Sequence, residues 1–289
     1  MSNEITNETA DQYHANPALS WSKLKVFMAS PARYKAEFID RTRTRDETPA
    51  LEQGRLMHLA VLEPERFDAE VAIGPDVKLN TKAGKAAWYE FETANPGKTL
   101  RRAGPGAEVL AVRNAVANTP AAAVLAPARK EVTYRVETEY GPLQCRLDTL
   151  DADRNVIDLK TCDDITKAEN QLWTFRYHLQ EAFYRITAAY AGTYINRWQF
   201  LFQEKKPPFE QAMMEVGPEV QELAKIKVFD VLTRFAQCRT EDEWPTRYPK
   251  TDTVTVTPPK WVEYDLEQTP DSTMRGMALL AAFETGGDL

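Results

Sequence analysis

The hydrophobic pattern of the chain changes period near residue 131. From Val132 to Val136 the apolar residues fall on alternate positions, and the same alternation returns in the segments LQCRLD and VIDLKT. Successive side chains of a β-strand point to opposite faces, so this pattern predicts three half-buried strands. Gly141-Pro142 and the polar run 151–155 are typical of the turns that would join them. We therefore expect a three-stranded meander.

Helical periodicity surrounds this meander. The pattern predicts a first helix that begins at Ser20 or Ser22 and ends at Pro31, and a second over 49–62. A short helix follows the segment NTKAGK, and a further helical segment is divided at Pro120. Two longer helices are predicted over 165–194 and 218–237. The segments RWQFLFQEK and FEQAMMEVG flank a KKPP turn and predict another strand pair. The fold class is therefore mixed α/β, without the regular βαβ alternation of a doubly wound sheet.

Composition removes several classes of protein. With three Cys in 289 residues the chain is not a disulfide scaffold, and it contains no apolar run near the ~20 residues that span a bilayer. The start of the chain has no basic region followed by an apolar stretch, so we expect a cytoplasmic protein without a membrane partner. The formal charge of -7 argues mildly against a general nucleic-acid coat.

Two acidic positions in the meander indicate chemistry. Asp158 and Lys160 are two residues apart, so they share one face of their strand, and Asp148 lies on the polar face of the strand before it. Adjacent carboxylates repel unless a proton or cation lies between them, and Mg²⁺ or Mn²⁺ suits such oxygen ligands. The alternative is a surface Asp158–Lys160 ion pair, with Asp148 capping a turn.

Two further patterns each have two interpretations. His58 lies in an apolar helical stretch, where a core histidine is more common than a metal ligand. Arg176, Gln180 and Tyr184 follow one another at i, i+4 spacing, so they would form one helix ridge. Such a ridge suits contact with a phosphate backbone and a base, or it is simply a partly exposed face.

The ordered set of His58, Asp148, Asp158-Leu159-Lys160 and Gln180-x-x-x-Tyr184 resembles the RecB-like branch of the PD-(D/E)XK nucleases, and within it the RecE-type exodeoxyribonuclease VIII domains and their phage relatives. The resemblance extends over LSWSKLKVFMASPARY, GRLMHLAVLEPERF, NTKAGKAAWYEF, YHLQEAFYR, FLFQEKKPPFE, EWPTRYP and PPKW. It implies a restriction-endonuclease-like core, with a mixed central sheet flanked by helices and a helical N-terminal decoration.

The resemblance also implies roles for individual residues. His58, Asp148, Asp158 and the Leu159 backbone carbonyl would bind Mg²⁺, with Mn²⁺ as a substitute. Lys160 would act on the attacking water, and Glu131 would reach the metal or the DNA end as a further catalytic residue. Gln180 and Tyr184 match the family's Q-x-x-x-Y element and would contact DNA, and Arg176 would join them through the helix ridge described above. No iron–sulfur cluster is expected, because Cys145 falls on the core face of its strand.

The activity implied by the resemblance is digestion of the 5′-ended strand of linear duplex DNA by a metal-activated water. The 3′ single-stranded tails would serve recombination with a RecT-type annealing protein, and the enzyme would form a homo-oligomeric ring of three or four subunits. The alternatives are a RecB-like nuclease for single-stranded or flap DNA and a non-catalytic DNA-binding protein on the same fold.

We expect one nuclease domain over 1–289. Its parts are a loose N-terminus (1–20), a mostly helical part with His58 (20–130), the catalytic meander and long helix (131–205), and a strand, helix and Pro-rich C-terminal part (206–289). A local basic groove would offset the acidic charge at the site, and its expected members are Arg146, Lys160, Lys167, Arg176 and Arg185.

Overall fold

The structure is a computed structural model that describes residues 4–5, 8–44, 48–248, 251 and 253–257. The chain divides into two units, Met1–Pro245 and Thr246–Leu289. All helices and strands of the described residues belong to the first unit. The PPKW segment of the tail lies outside the described residues, and the single domain over 1–289 stays a prediction.

Several of the helices follow the predicted pattern, and two of the differences are described below. They are α1 (Ala10–Ala15), α2 (Trp21–Ala29), α3 (Pro31–Tyr34), a π-helical turn (Lys35–Ile39), α4 (Pro49–Leu62), α5 (Pro64–Glu70), α6 (Lys82–Ala94), α7 (Ala103–Ala117), α8 (Pro120–Leu125), a 3₁₀ turn (Ile165–Lys167), α9 (Ala168–Thr174), α10 (Tyr177–Tyr190) and α11 (Pro218–Glu241). Among these described helices, none combines the length and apolar character needed to cross a membrane.

Eight strands form three hydrogen-bonded sheets within the described part of the chain. The strands are β1 (Glu4–Ile5), β2 (Val71–Ile73), β3 (Thr99–Arg101), β4 (Arg129–Thr138), β5 (Gly141–Leu150), β6 (Asn155–Cys162), β7 (Arg197–Glu204) and β8 (Gln211–Met214). The strand orders in the three sheets are β1-β4-β5, β2-β3 and β6-β7-β8. The mixed α/β class is confirmed, and so is the antiparallel pair β7–β8.

The prediction of a simple meander is wrong at its third strand. β4 and β5 pair antiparallel as expected, with Tyr134 opposite Cys145, but β6 forms its ladder with β7, in parallel. The connection through α9 and α10 therefore makes one βαβ unit. The parallel pair β2–β3 was also missed, because three-residue strands are too short to show an alternating pattern.

Hydrogen bonds from side chains of β5 to the backbone of β6 join these two strands, in place of backbone–backbone hydrogen bonds. The Thr149 hydroxyl accepts from the Ile157 N–H at 2.7 Å and donates to the Ile157 carbonyl at 2.9 Å. The Leu159 N–H donates to Asp148 Oδ2 at 2.8 Å. The strands thus lie side by side but remain slightly open, and this opening is where the acidic residues of both strands meet.

The predicted helix over 165–194 is interrupted. Arg176 has a left-handed backbone conformation, φ 60° and ψ 39°, and α10 begins only at Tyr177. No Gly or Pro marks the break, so the sequence pattern could not show it. The break turns Tyr177 towards the strands, where its ring stacks on Phe200 at a centroid distance of 6.0 Å.

Two apolar clusters hold the strands between helices. One packs α2, α10 and α11 around Leu24, Phe183 and Leu232, and the other packs the strand faces around Cys145, Trp198 and Phe200. The expected core face of β5 is confirmed, since Leu143, Cys145 and Leu147 are all fully buried.

The N-terminal segment was expected to be loose, but residues 8–20 include α1. A reciprocal capping box between Thr9 and Gln12 starts this helix, and Tyr13 is buried against β5. The sequence did not predict this helix, because its segment is mostly polar and Tyr13 is its buried residue, so no helical periodicity is visible.

Candidate active site

Three of the predicted residues meet at the β5–β6 opening. Asp148 lies on β5, while Asp158 and Lys160 lie on one face of β6. The Lys160 ammonium forms an ion pair with Asp158 Oδ2 and lies 4.6 Å from the centroid of the Tyr177 ring. The alternative prediction of a surface Asp158–Lys160 ion pair is therefore wrong. The ion pair exists, but Asp158 is fully buried and Lys160 is nearly so.

The helix α4 brings His58 to the same place. Its Nδ1 is 3.6 Å from Asp148 Oδ2, and its side chain is 29% exposed. Burial lowers the pKa of His58 to about 4, the nearby Lys160 lowers it too, and a hydrogen bond with the Leu159 backbone acts in the opposite direction. His58 is thus a neutral imidazole at pH 7, the form that binds metals.

The two carboxylates of the opening are hard to ionise. Burial is the main cause that raises the pKa of Asp158 to about 6; Lys160 opposes this shift and Asp148 adds to it. Burial also raises the pKa of Asp148, against the effects of Lys160 and the Leu159 N–H. For Lys160, burial lowers the pKa, but Asp158 and Asp148 outweigh it and raise the pKa above its ordinary value.

Glu131 joins the acidic group from β4. Its backbone is left-handed, with φ 51°, which costs about 1–3 kcal/mol for a non-glycine residue. Burial and then Asp148 raise its pKa to about 7, while its carboxylate pairs with Arg146. Glu131 therefore lies near Asp148, and its role at the metal or the DNA end stays a prediction.

The predicted helix ridge is only partly present. The Gln180 amide donates to Asp158 Oδ1 at 3.3 Å, so this residue contacts the acidic group directly. Tyr184 packs edge-on against Trp198 at a centroid distance of 5.8 Å, and burial raises its pKa well above the usual range. Arg176 is exposed but precedes α10, so it does not share a helix ridge with the other two.

The expected basic groove is largely neutralised. Arg146, Lys160, Lys167 and Arg185 each pair with a carboxylate, namely Glu131, Asp158, Asp164 and Glu181. Arg185 and Lys167 therefore add little positive potential. Arg146 has a more particular environment, which the sequence did not indicate: Tyr13 from α1 packs against its guanidinium.

The donor set suits a hard divalent cation, although it is not arranged around one. Two buried carboxylates with raised pKa values lie together, and Asp158 Oδ2 has an ion pair but no hydrogen bond among the described residues. A cation would relieve that repulsion. Within the described part of the chain, no group of three His, Cys, Asp or Glu side chains is arranged to hold a metal ion. Instead, Lys160 pairs with the Asp158 carboxylate, and the Leu159 N–H donates to the Asp148 carboxylate.

The comparisons with known proteins agree with this architecture. A crystal structure of a "Putative exonuclease" from Eubacterium rectale superposes with a TM-score of 0.57 over 90% of this chain and 98% of that one, at 15% sequence identity. At that identity the likeness concerns the fold alone. No curated protein matches the sequence.

The family model "PDDEXK-like domain of unknown function (DUF3799)" matches residues 20–257. The match contains His58, Asp148, Asp158, Lys160 and the Gln180–Tyr184 pair, together with all strands from β2 to β8. The chain belongs to this PDDEXK-like family.

Proposed function

We propose that this protein is a metal-dependent exodeoxyribonuclease that degrades the 5′-ended strand of linear duplex DNA and leaves 3′ single-stranded tails. The observation that carries the proposal is the meeting of Asp148, Asp158 and Lys160 at the opening between β5 and β6. The family match supports the nuclease class, and the resemblance to RecE-type domains supports the substrate and direction.

The metal is proposed to be Mg²⁺, with Mn²⁺ as a substitute. Asp148, Asp158, His58 and the Leu159 carbonyl would hold it, and Glu131 would add a carboxylate once Arg146 releases it. When bound, the ion supplies Lewis-acid stabilisation of charge on the phosphate and lowers the pKa of a water molecule. The raised pKa values of the two aspartates support this assignment, since a bound cation would favour the ionised form of both carboxylates.

The protein's own groups supply orientation and charge. Gln180 fixes one oxygen of Asp158 through its hydrogen bond and leaves the other oxygen to face Lys160. Lys160 is held on the ring of Tyr177 and stays protonated, so it places a positive charge beside the scissile phosphate. Tyr184 packs against Trp198, and exposed Arg176 would contact the DNA backbone at the start of α10.

The test is digestion of an end-labelled linear duplex with and without Mg²⁺. We expect cleavage only with the metal, release from the 5′ end, and loss of cleavage in Asp158→Ala and Lys160→Ala. Asp230→Ala is the matched control, because Asp230 is exposed on α11 and pairs only with its neighbour Lys227 in the described residues. Circular dichroism and gel filtration would show that each variant is folded.

Other outcomes would point to the alternatives. Faster digestion of single-stranded or flap substrates than of duplex would favour the RecB-like alternative. Binding of DNA without cleavage at saturating Mg²⁺ and Mn²⁺ would favour a non-catalytic protein. Undiminished cleavage by Asp158→Ala would refute the assignment of the site.

The assembly is a further part of the proposal. We infer a ring of three or four subunits around duplex DNA and a RecT-type annealing partner, supported by the resemblance alone. Sedimentation of the protein with and without duplex measures the subunit number, and a monomer under both conditions would contradict the ring. Co-purification with an annealing protein would test the partner.

A further inference from the structure

The break between α9 and α10 exposes two aromatic rings. Trp173, near the end of α9, is 42% exposed, and Phe175, which follows that helix, is 49% exposed. The residues that anchor the two helices, Leu172 and Leu179, are buried instead. Because burial of large apolar side chains is what stabilises a fold, two exposed rings within three residues indicate a contact surface.

Each exposed ring is backed by another ring. The Trp173 ring lies against His178 at a centroid distance of 5.3 Å, and the Phe175 ring lies against Tyr177 at 5.7 Å. The backbone is held as well, because the Phe175 N–H donates to the Gln171 carbonyl at 2.9 Å. The rings are thus fixed before any ligand arrives, so a ligand that stacks on them loses little binding free energy to ordering.

Arg176 adds a positive charge to the same segment. Its left-handed backbone costs free energy in a residue other than glycine, and strain of this kind is concentrated at functional sites. Its side chain is exposed and pairs with no carboxylate among the described residues. Aromatic rings beside an unpaired cation suit single-stranded nucleic acid, because the rings stack on bases and the cation attracts the backbone.

The segment is connected to the acidic group through one side chain. Tyr177 contacts the Phe175 ring, and its own ring centroid lies 4.6 Å from the Lys160 ammonium. Only one ring therefore separates Phe175 from Lys160. A strand whose phosphate lies beside Lys160 has its neighbouring bases close to Phe175.

We propose that Trp173 and Phe175 form a platform on which unpaired bases of the DNA strand at the site stack, with Arg176 on the backbone of that strand. The proposal rests on the proposed nuclease function for the identity of the ligand as DNA. Bases inside a duplex already stack on one another, so the platform accepts bases that have left the duplex.

Binding of a short single-stranded oligonucleotide to the full-length protein in EDTA tests the platform without cleavage. We expect Phe175→Ala and Trp173→Ala each to bind a fluorescein-labelled thymidine oligonucleotide about 10-fold more weakly than the wild type in anisotropy titrations. Phe175→Tyr keeps a ring and should bind like the wild type. Tyr89→Ala is the matched control, because Tyr89 is 70% exposed on α6 and has no ring contact among the described residues.

An oligonucleotide of the same length without bases separates stacking from contact with the backbone. Phe175→Ala should bind this abasic strand as the wild type does, whereas Arg176→Gln should bind both strands more weakly. Equal losses in Phe175→Ala with both strands would assign its ring to the positioning of Tyr177 and Lys160 and overturn the platform. Unchanged affinity of both alanine variants for the thymidine strand would also overturn it.

The two proposals fail in different ways. If the wild type cleaves duplex DNA and both alanine variants bind the thymidine strand like the wild type, only the platform is wrong. If the alanine variants lose base-dependent binding but the wild type cleaves no DNA with Mg²⁺ or Mn²⁺, the platform stands and the nuclease function is wrong.

Discussion

Thr149→Val tests how β5 and β6 are held together. The Thr149 hydroxyl is buried and makes both an accepting and a donating hydrogen bond with the Ile157 backbone, at 2.7 and 2.9 Å. Valine has nearly the same shape, so the change removes both bonds without opening a cavity. Each of the two buried backbone groups left unsatisfied costs about 1–3 kcal/mol, which gives a loss of roughly 2–6 kcal/mol in the free energy of unfolding.

Urea unfolding followed by tryptophan fluorescence measures this loss. Thr133→Val on β4 is the matched control: Thr133 is fully buried too, but its hydroxyl has no hydrogen-bond partner among the described residues, so its stability should be unchanged or higher. Under conditions in which the Thr149→Val variant is still folded, it should also cleave DNA more slowly. Asp148 and Asp158 lie on the two strands that the Thr149 side chain joins. A loss below about 1 kcal/mol, or equal losses in both variants, would refute this account of the junction.

Three further predictions concern other sites. Gly106→Ala should destabilise the protein by about 1–3 kcal/mol, because a Cβ would lie 2.5 Å from the Ile73 side chain, whereas Gly54→Ala in α4 meets nothing within 4 Å and should gain up to about 1 kcal/mol; thermal unfolding compares them. The pKa of Glu181 is raised to about 7, chiefly by burial, so the folded state binds a proton more readily than the unfolded state, and stability should fall as pH rises from about 4.5 to 7. Glu181→Gln should therefore exceed wild-type stability at pH 8, by at most about 3 kcal/mol, and lose that advantage at pH 5; an equal difference at both pH values in urea titrations would count against it. Gln180→Ala removes a hydrogen bond to the buried carboxylate of β6 and should reduce the cleavage rate about 10-fold or more with little change in substrate affinity, whereas a change in affinity alone would assign the residue to DNA binding.

Local periodicity predicted much of the secondary structure. The helix α4 has the bounds expected from the sequence, Pro49 to Leu62, because a proline can occupy the first turn and the breaker Pro64 follows its end. The division at Pro120 and the alternation of β4, β5 and β6 were also predicted from the sequence, since each pattern depends only on residues that are close together in the chain. The break at Arg176 was not, because a left-handed non-glycine residue leaves no mark in the pattern.

The site shows the same division. The sequence by itself determined which side chains share a face, as with Asp158 and Lys160 on β6, because the two-residue period of a strand fixes their direction. Only the tertiary structure decided that β6 pairs with β7, that the Thr149 side chain joins it to β5, and that α1 brings Tyr13 over Arg146. These contacts join residues far apart in the chain, and their energies come from burial and hydrogen bonds that exist only once distant segments pack together.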